Sequence, residues 1–139
     1  MTLLNVNFTG GEPFARKDII DIAKTYLKNT LIQSMYITTN ASLPDRIENF
    51  AKTINSIDNE LELNFQISID ELPEKHDKIR KIKNLFDNCL DTYQRIKKLN
   101  LENVNPVVSI TVSLENCDNI KNIFDYLTSK CKINFIISQ

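Results

Sequence analysis

Glycine is nearly missing from this chain: Gly10 and Gly11, side by side, are the only two. With no glycine later on, the chain lacks the late glycine-rich loop by which a phosphate-using (β/α) barrel would hold its substrate. Cysteine is scarce as well. Cys89, Cys117 and Cys131 lie too far apart for any close-spaced iron-sulfur or zinc pattern, and their odd number leaves one unpaired in any disulfide scheme. All three read as small buried apolar residues, and Cys89 shares one helical face with Leu85, Tyr93 and Ile96. The single histidine, His76, follows "LPEK" in a charged stretch and reads as a structural or solvated group rather than a base. Charge of one sign is absent too: 17 basic residues face 18 acidic ones, for a formal net charge of -1. No positive excess exists to neutralise a phosphate backbone, which speaks against nucleic acid, and "KIRKIK" reads as a solvated edge. No apolar run approaches the roughly 20 residues that cross a bilayer, and Met1 opens no basic-then-apolar leader. The reading is therefore a chain without membrane or nucleic-acid partners, located in the cytoplasm.

What is present is a repeat. With 139 residues, 42% of them hydrophobic and 25% charged, the chain has ordinary globular usage. Runs rich in β-branched and aromatic residues stand at "LLNVNF", "SMYITT", "LNFQISI", "VVSITV" and "INFII", beginning near Leu3, Ser34, Leu63, Val107 and Ile133. Between them lie segments of helical periodicity. Ile19, Ile22, Ala23, Tyr26 and Leu27 form one apolar face, Ile47, Phe50, Ala51 and Ile54 a second, and Ile120, Ile123, Phe124 and Leu127 another. Asn84, followed three positions later by Asp87, marks a helix start in the manner of a capping box. Repeated βα units predict an α/β fold with a parallel sheet, either doubly wound or an arc of a (β/α) barrel. The strands look apolar enough for burial on both faces. Residues 1–139 show no linker, so one domain is expected; opening and closing on strands, it resembles a piece of a longer protein.

Parallel sheets gather their ligand sites at the carboxyl ends of the strands. There the first strand carries "TGGEP". Paired glycines allow positive φ and close backbone approach, Pro13 directs the chain toward a helix at Lys17, and Glu12 offers a carboxylate to a cation. Asn40 ends the second strand; Ser68 and Asp70 end the third.

"GGEP", then "TTNA", then "ISID" followed by "HDKIR", in this order, resembles the core of the radical S-adenosylmethionine (SAM) enzymes, in particular the branch that modifies peptides or builds cofactors. The likeness runs from Leu3 to about Lys98 and continues into "SITVSLENCDNIKNIFDYL". It implies a partial (β/α) barrel, of which this chain supplies about strands two to six. It also implies that Gly10, Gly11, Glu12 and Pro13 meet the ammonium of SAM. Ser68 would contact its carboxylate or ribose, with Asp70 beside it; Asn40 would lie near the sugar, and Arg80 would grip the carboxylate by a bidentate pair. The family's three-cysteine loop, which holds a four-iron four-sulfur (4Fe-4S) cluster, has no counterpart here. The resemblance thus implies an oxidoreductase as the parent protein, which with an electron donor cleaves SAM to a 5'-deoxyadenosyl radical, and an inactive fragment by itself. The competing expectation is a non-catalytic α/β module for a metabolite or protein partner, with "TGGEP" a plain turn.

Overall fold

The computed structural model describes residues 3–133 and 136–138. Five strands, β1 (Asn5–Phe8), β2 (Ser34–Thr39), β3 (Glu62–Ser68), β4 (Val104–Ile110) and β5 (Ile136–Ser138), form one sheet in sequential order. All four pairings are parallel. Residues 134 and 135, part of the fifth expected run, lie outside the described residues. Sequential order with right-handed crossovers puts every helix on the same side of the sheet, which decides for the barrel arc over the doubly wound alternative. The helices are α1 (Ile19–Asn29), α2 (Pro44–Ile57), α3 (Pro73–Arg80), α4 (Leu85–Lys98) and α5 (Ile120–Asp125), the last continuing as a wider turn over Tyr126–Lys130.

The two sheet faces differ, which corrects the expectation of burial on both. Met35, Ile37, Leu63, Phe65, Ile67 and Val108 point to the helices and are fully buried. The opposite face carries Asn7, Tyr36, Asn64 and Asn105 in one row and Thr38, Gln66 and Val107 in the next. A parallel sheet covered by helices on one side needs an apolar pattern only on that side. On the polar face Thr38 donates to Gln66 Oε1 at 3.0 Å and Ser34 to Asn5 Oδ1 at 2.6 Å.

Several local expectations change. β4 begins at Val104, ahead of Val107, and carries Pro106 opposite Phe65, while Val112 lies beyond its end and is exposed. Phe124 is also exposed, because α5 is short and buries only Ile123. Of the cysteines, only Cys89 is buried; Cys117 is exposed and Cys131 half-buried, since both sit in short turns around α5 with little to pack against. α4 does start after Asn84, but that residue adopts positive φ (59°) and its side chain caps nothing. Asp77 Oδ1 accepts from the Phe86 amide instead, at 2.8 Å. His76 lies on a helix, not in a charged loop, and is fully buried.

Candidate ligand-binding rim at the carboxyl ends of the strands

The turn after β1 is anchored by a residue whose role the sequence pattern did not disclose. Phe14, fully buried, packs edge-on to Phe50 of α2 with ring centroids 5.5 Å apart and stacks at 6.3 Å on Phe65 of β3. Pro13 starts a single 3-10 turn (Pro13–Ala15), so α1 begins at Ile19, later than the expected Lys17. Gly10 and Gly11 have φ of +88° and +55°, and a Cβ at either would meet no atom within 4 Å. Backbone conformation is therefore what requires glycine there, and the space beside both is open.

Glu12 does not project freely, as the sequence suggested. Its Oε1 accepts from the Phe14 amide (3.1 Å) and from Thr39 Oγ1 (2.8 Å), and its Oε2 accepts from the Asn40 amide (2.7 Å). One carboxylate thus staples the first rim loop to the end of β2. Asn40 in turn uses its Oδ1 to accept from the Ser42 amide at 2.9 Å. Between them Ala41, buried, holds φ of 57°, a conformation that non-glycine residues adopt rarely and mostly where surroundings impose it.

The second half of the rim is built around β3. Arg80 turns its Nε (2.7 Å) and Nη2 (2.5 Å) to Asp70 Oδ2, so the guanidinium assigned to a ligand carboxylate already has an internal partner. Asp70 Oδ1 is buried with no hydrogen-bond partner. A buried unpaired carboxylate oxygen costs free energy, and it offers an acceptor to an incoming ligand. Ser68 stands on the polar face one pleat below. Asn116, which sequence reading passed over, donates from Nδ2 to the carbonyls of Asp70 (2.8 Å) and Thr111 (2.9 Å), tying the loops after β3 and β4 together. Glu71, fully buried, receives Lys75, Asn119 Nδ2 and the Leu72 amide. Burial opposes its ionisation, but these three donors together hold its carboxyl below the usual range.

Small hollows open at both halves, of about 220 Å³ beside Gly10 and Glu12 and about 230 Å³ beside Asp70 and Arg80. Larger clefts, about 640 and 470 Å³, open at the amino-terminal edge near Ser34, Glu62 and Val104. Size does not decide between the two ends. Positive-φ residues and unpaired buried polar atoms occur at both ends, with Asn100 and Asn64 Nδ2 at the amino-terminal cleft; the carboxyl rim differs in its helix starts, its paired glycines and the unpaired carboxylate oxygen of Asp70.

A one-sided parallel βα arc whose carboxyl rim presents an open glycine turn, a carboxylate with one unused oxygen and a guanidinium has the architecture of a partial (β/α) barrel. The sequence pattern of the Radical SAM superfamily matches residues 3–127, and the chain belongs to that superfamily. It is 31% identical over 121 residues to the Fe-coproporphyrin III synthase of Methanosarcina barkeri, covering 86% of this chain and 28% of that protein. It is 32% identical over 124 residues to the 7-carboxy-7-deazaguanine synthase of Methanocaldococcus jannaschii, covering 85% and 48%. The sporulation killing factor maturation protein SkfB of Bacillus subtilis is 28% identical over 123 residues, with 82% and 29% covered. The chain thus spans less than half the length of each of these relatives. Native anSMEcpe, solved with bound AdoMet and Kp18Cys peptide, superposes with a TM-score of 0.68 at 19% identity, over 96% of this chain and 36% of that one, a likeness of fold.

The residues present suit one family cofactor and not the other. The open glycine turn and the orphaned Asp70 oxygen fit a small polar ligand with donors, such as SAM. A 4Fe-4S cluster does not fit: among the described residues no group of three His, Cys, Asp or Glu is arranged to hold a metal, and the three cysteines sit on separate elements.

Proposed function

We propose that this chain is the SAM-binding part of a radical SAM enzyme. The observation that carries the reading is the unpaired, buried Asp70 Oδ1 beside Arg80 at the carboxyl end of β3. Gly10 and Gly11 would present backbone carbonyls to the SAM ammonium, with Glu12 and Pro13 holding that turn against β2. Arg80, steered by Asp70, would grip the SAM carboxylate, while Asn40, Ser68 and Asp70 Oδ1 would receive the sugar hydroxyls. Bound SAM supplies the precursor of a 5'-deoxyadenosyl radical when an electron donor and a cluster serve it. The cluster ligands are assigned to parts of the longer protein outside these residues, so these residues alone would be inactive. Names such as SkfB and the peptide-bound neighbour support a peptide substrate, whereas the two synthases support a small cofactor precursor. No described helix is long and apolar enough to cross a membrane, and three unpaired cysteines support a reducing, cytoplasmic location.

The other reading, a non-catalytic module in which "TGGEP" is only a turn, is favoured by the complete engagement of Glu12 within the protein. Titration of SAM into the ¹⁵N-labelled chain separates the two. Amide shifts concentrated at Gly10, Gly11, Asn40 and Asp70 are expected. Absence of shifts, or shifts confined to the amino-terminal cleft at Asn64 and Lys97, would overturn the assignment.

A further inference from the structure

Beneath the rim, two side chains outside it meet the backbone at the ends of β2 and β3. His76 of α3 and Cys89 of α4 are both fully buried. The Asp70 amide donates to His76 Nδ1 at 3.2 Å, which leaves the ring proton on Nε2. Nε2 lies 4.0 Å from Cys89 Sγ, and the thiol donates to the carbonyl of Asn40 at 3.4 Å and approaches that of Ser68 at 3.8 Å. The bonds run one way: Asp70 N–H to imidazole, imidazole N–H to sulfur, sulfur S–H to the Asn40 carbonyl. Phe86 packs edge-on against the imidazole with centroids 6.0 Å apart, closing the ring off from water.

Resting on the SAM assignment of the rim, we infer that His76 and Cys89 are positioning residues: their relay ties the ends of β2 and β3 together and sets where Asp70, and through it Arg80, stands against the amino-acid end of SAM. The direction of the relay needs a neutral imidazole and an intact thiol. Burial supplies both, lowering the tendency of His76 to take a proton and pushing the Cys89 thiol up to about 12. A histidine that only filled space would present no acceptor to Asp70. The Asp70 amide lies next to the carboxylate that aims Arg80, so its loss is felt at one end of the ligand more than the other.

That asymmetry is the test. The wild-type chain, His76→Leu and His76→Asn are titrated with SAM and with 5'-methylthioadenosine, which keeps the nucleoside but lacks the ammonium and carboxylate. Leu removes the acceptor; Asn restores one, its Oδ1 standing near the place of Nδ1. Weakening of SAM binding by roughly tenfold in His76→Leu, a smaller loss for 5'-methylthioadenosine, and recovery in His76→Asn are expected. Equal losses for both ligands, or SAM binding by His76→Leu at the wild-type level, would overturn the inference. A wild-type chain that binds no SAM would overturn the rim assignment itself, and the inference with it. Should His76→Leu fail to fold, Cys89→Ala in the same titrations and the ¹⁵N spectrum of the wild-type histidine decide. The Nε2–H tautomer with a slowly exchanging Asp70 amide is expected, and the Nδ1–H tautomer overturns it.

Discussion

At the scale of single residues, Glu12 changes most between sequence and structure. From the sequence it is a strand-end carboxylate offered to a cation; in the fold it accepts three hydrogen bonds that join two rim loops. Glu12→Gln therefore acts on stability before it acts on any ligand. The amide can place only one oxygen among these donors, so its NH₂ faces the Asn40 or Phe14 amide as donor against donor. Leaving such a group unmatched costs roughly 1–3 kcal/mol, and urea unfolding of Glu12→Gln is expected to read a loss in that range. An unchanged midpoint would show that water replaces the lost acceptor without penalty.

Among the elements, α3 is the one the sequence concealed. "PEKHDKIR" is too polar to show a helical apolar stripe, and it buries only His76. Pro73 at its first position and the left-handed Lys81 (φ 57°) at its end mark its limits, the latter in a chain with no glycine to spare for helix ends. Its contribution to stability should depend on pH. Desolvation keeps His76 below its ordinary value of 6.5, against the pull of Asp70 and Asp77 and together with the push of Arg80. The unfolded chain then binds a proton that the folded chain refuses, so stability is complete above about pH 6.5 and declines as pH falls below it. Glu71, held below its ordinary 4.5, contributes stability that is present above that pH and is lost beneath it, a separate and lower window. Thermal midpoints measured from pH 8 to 5 should first drop below about 6.5 in the wild-type chain, and stay flatter in His76→Asn. An equal drop in both would assign the transition to another group.

For the whole molecule, a one-sided sheet stands beside cysteines that, among the described residues, form no metal-holding group. The chain belongs to the Radical SAM superfamily, yet its free cysteines lie on α4 and in the turns flanking α5, Cys89 buried, Cys117 exposed and Cys131 half-buried. Anaerobic reconstitution with iron and sulfide is expected to leave this chain colourless, without the broad absorption of a 4Fe-4S cluster. Stoichiometric iron uptake would mean that the cysteines come together in a way their placement on separate elements opposes.

The sequence by itself determined the number and parallel direction of the strands, the apolar faces of α2 and α4, and the location of "TGGEP" at a strand end, because hydrophobic periodicity and paired glycines are local signals. It also carried the family, through three short motifs in order. Only the tertiary structure decided that the face away from the helices is polar, since "FQISI" alternates too subtly for its Gln66 and Ser68 to be assigned a side. The partners of Glu12, the turn of Arg80 toward Asp70, and the meeting of His76 with Cys89 under the rim were likewise settled in three dimensions. These contacts join residues on different elements, up to 28 positions apart in the hydrogen bond from Asn40 to Glu12. Nothing in local patterning distinguishes a polar side chain that will meet a ligand from one that will meet its own backbone.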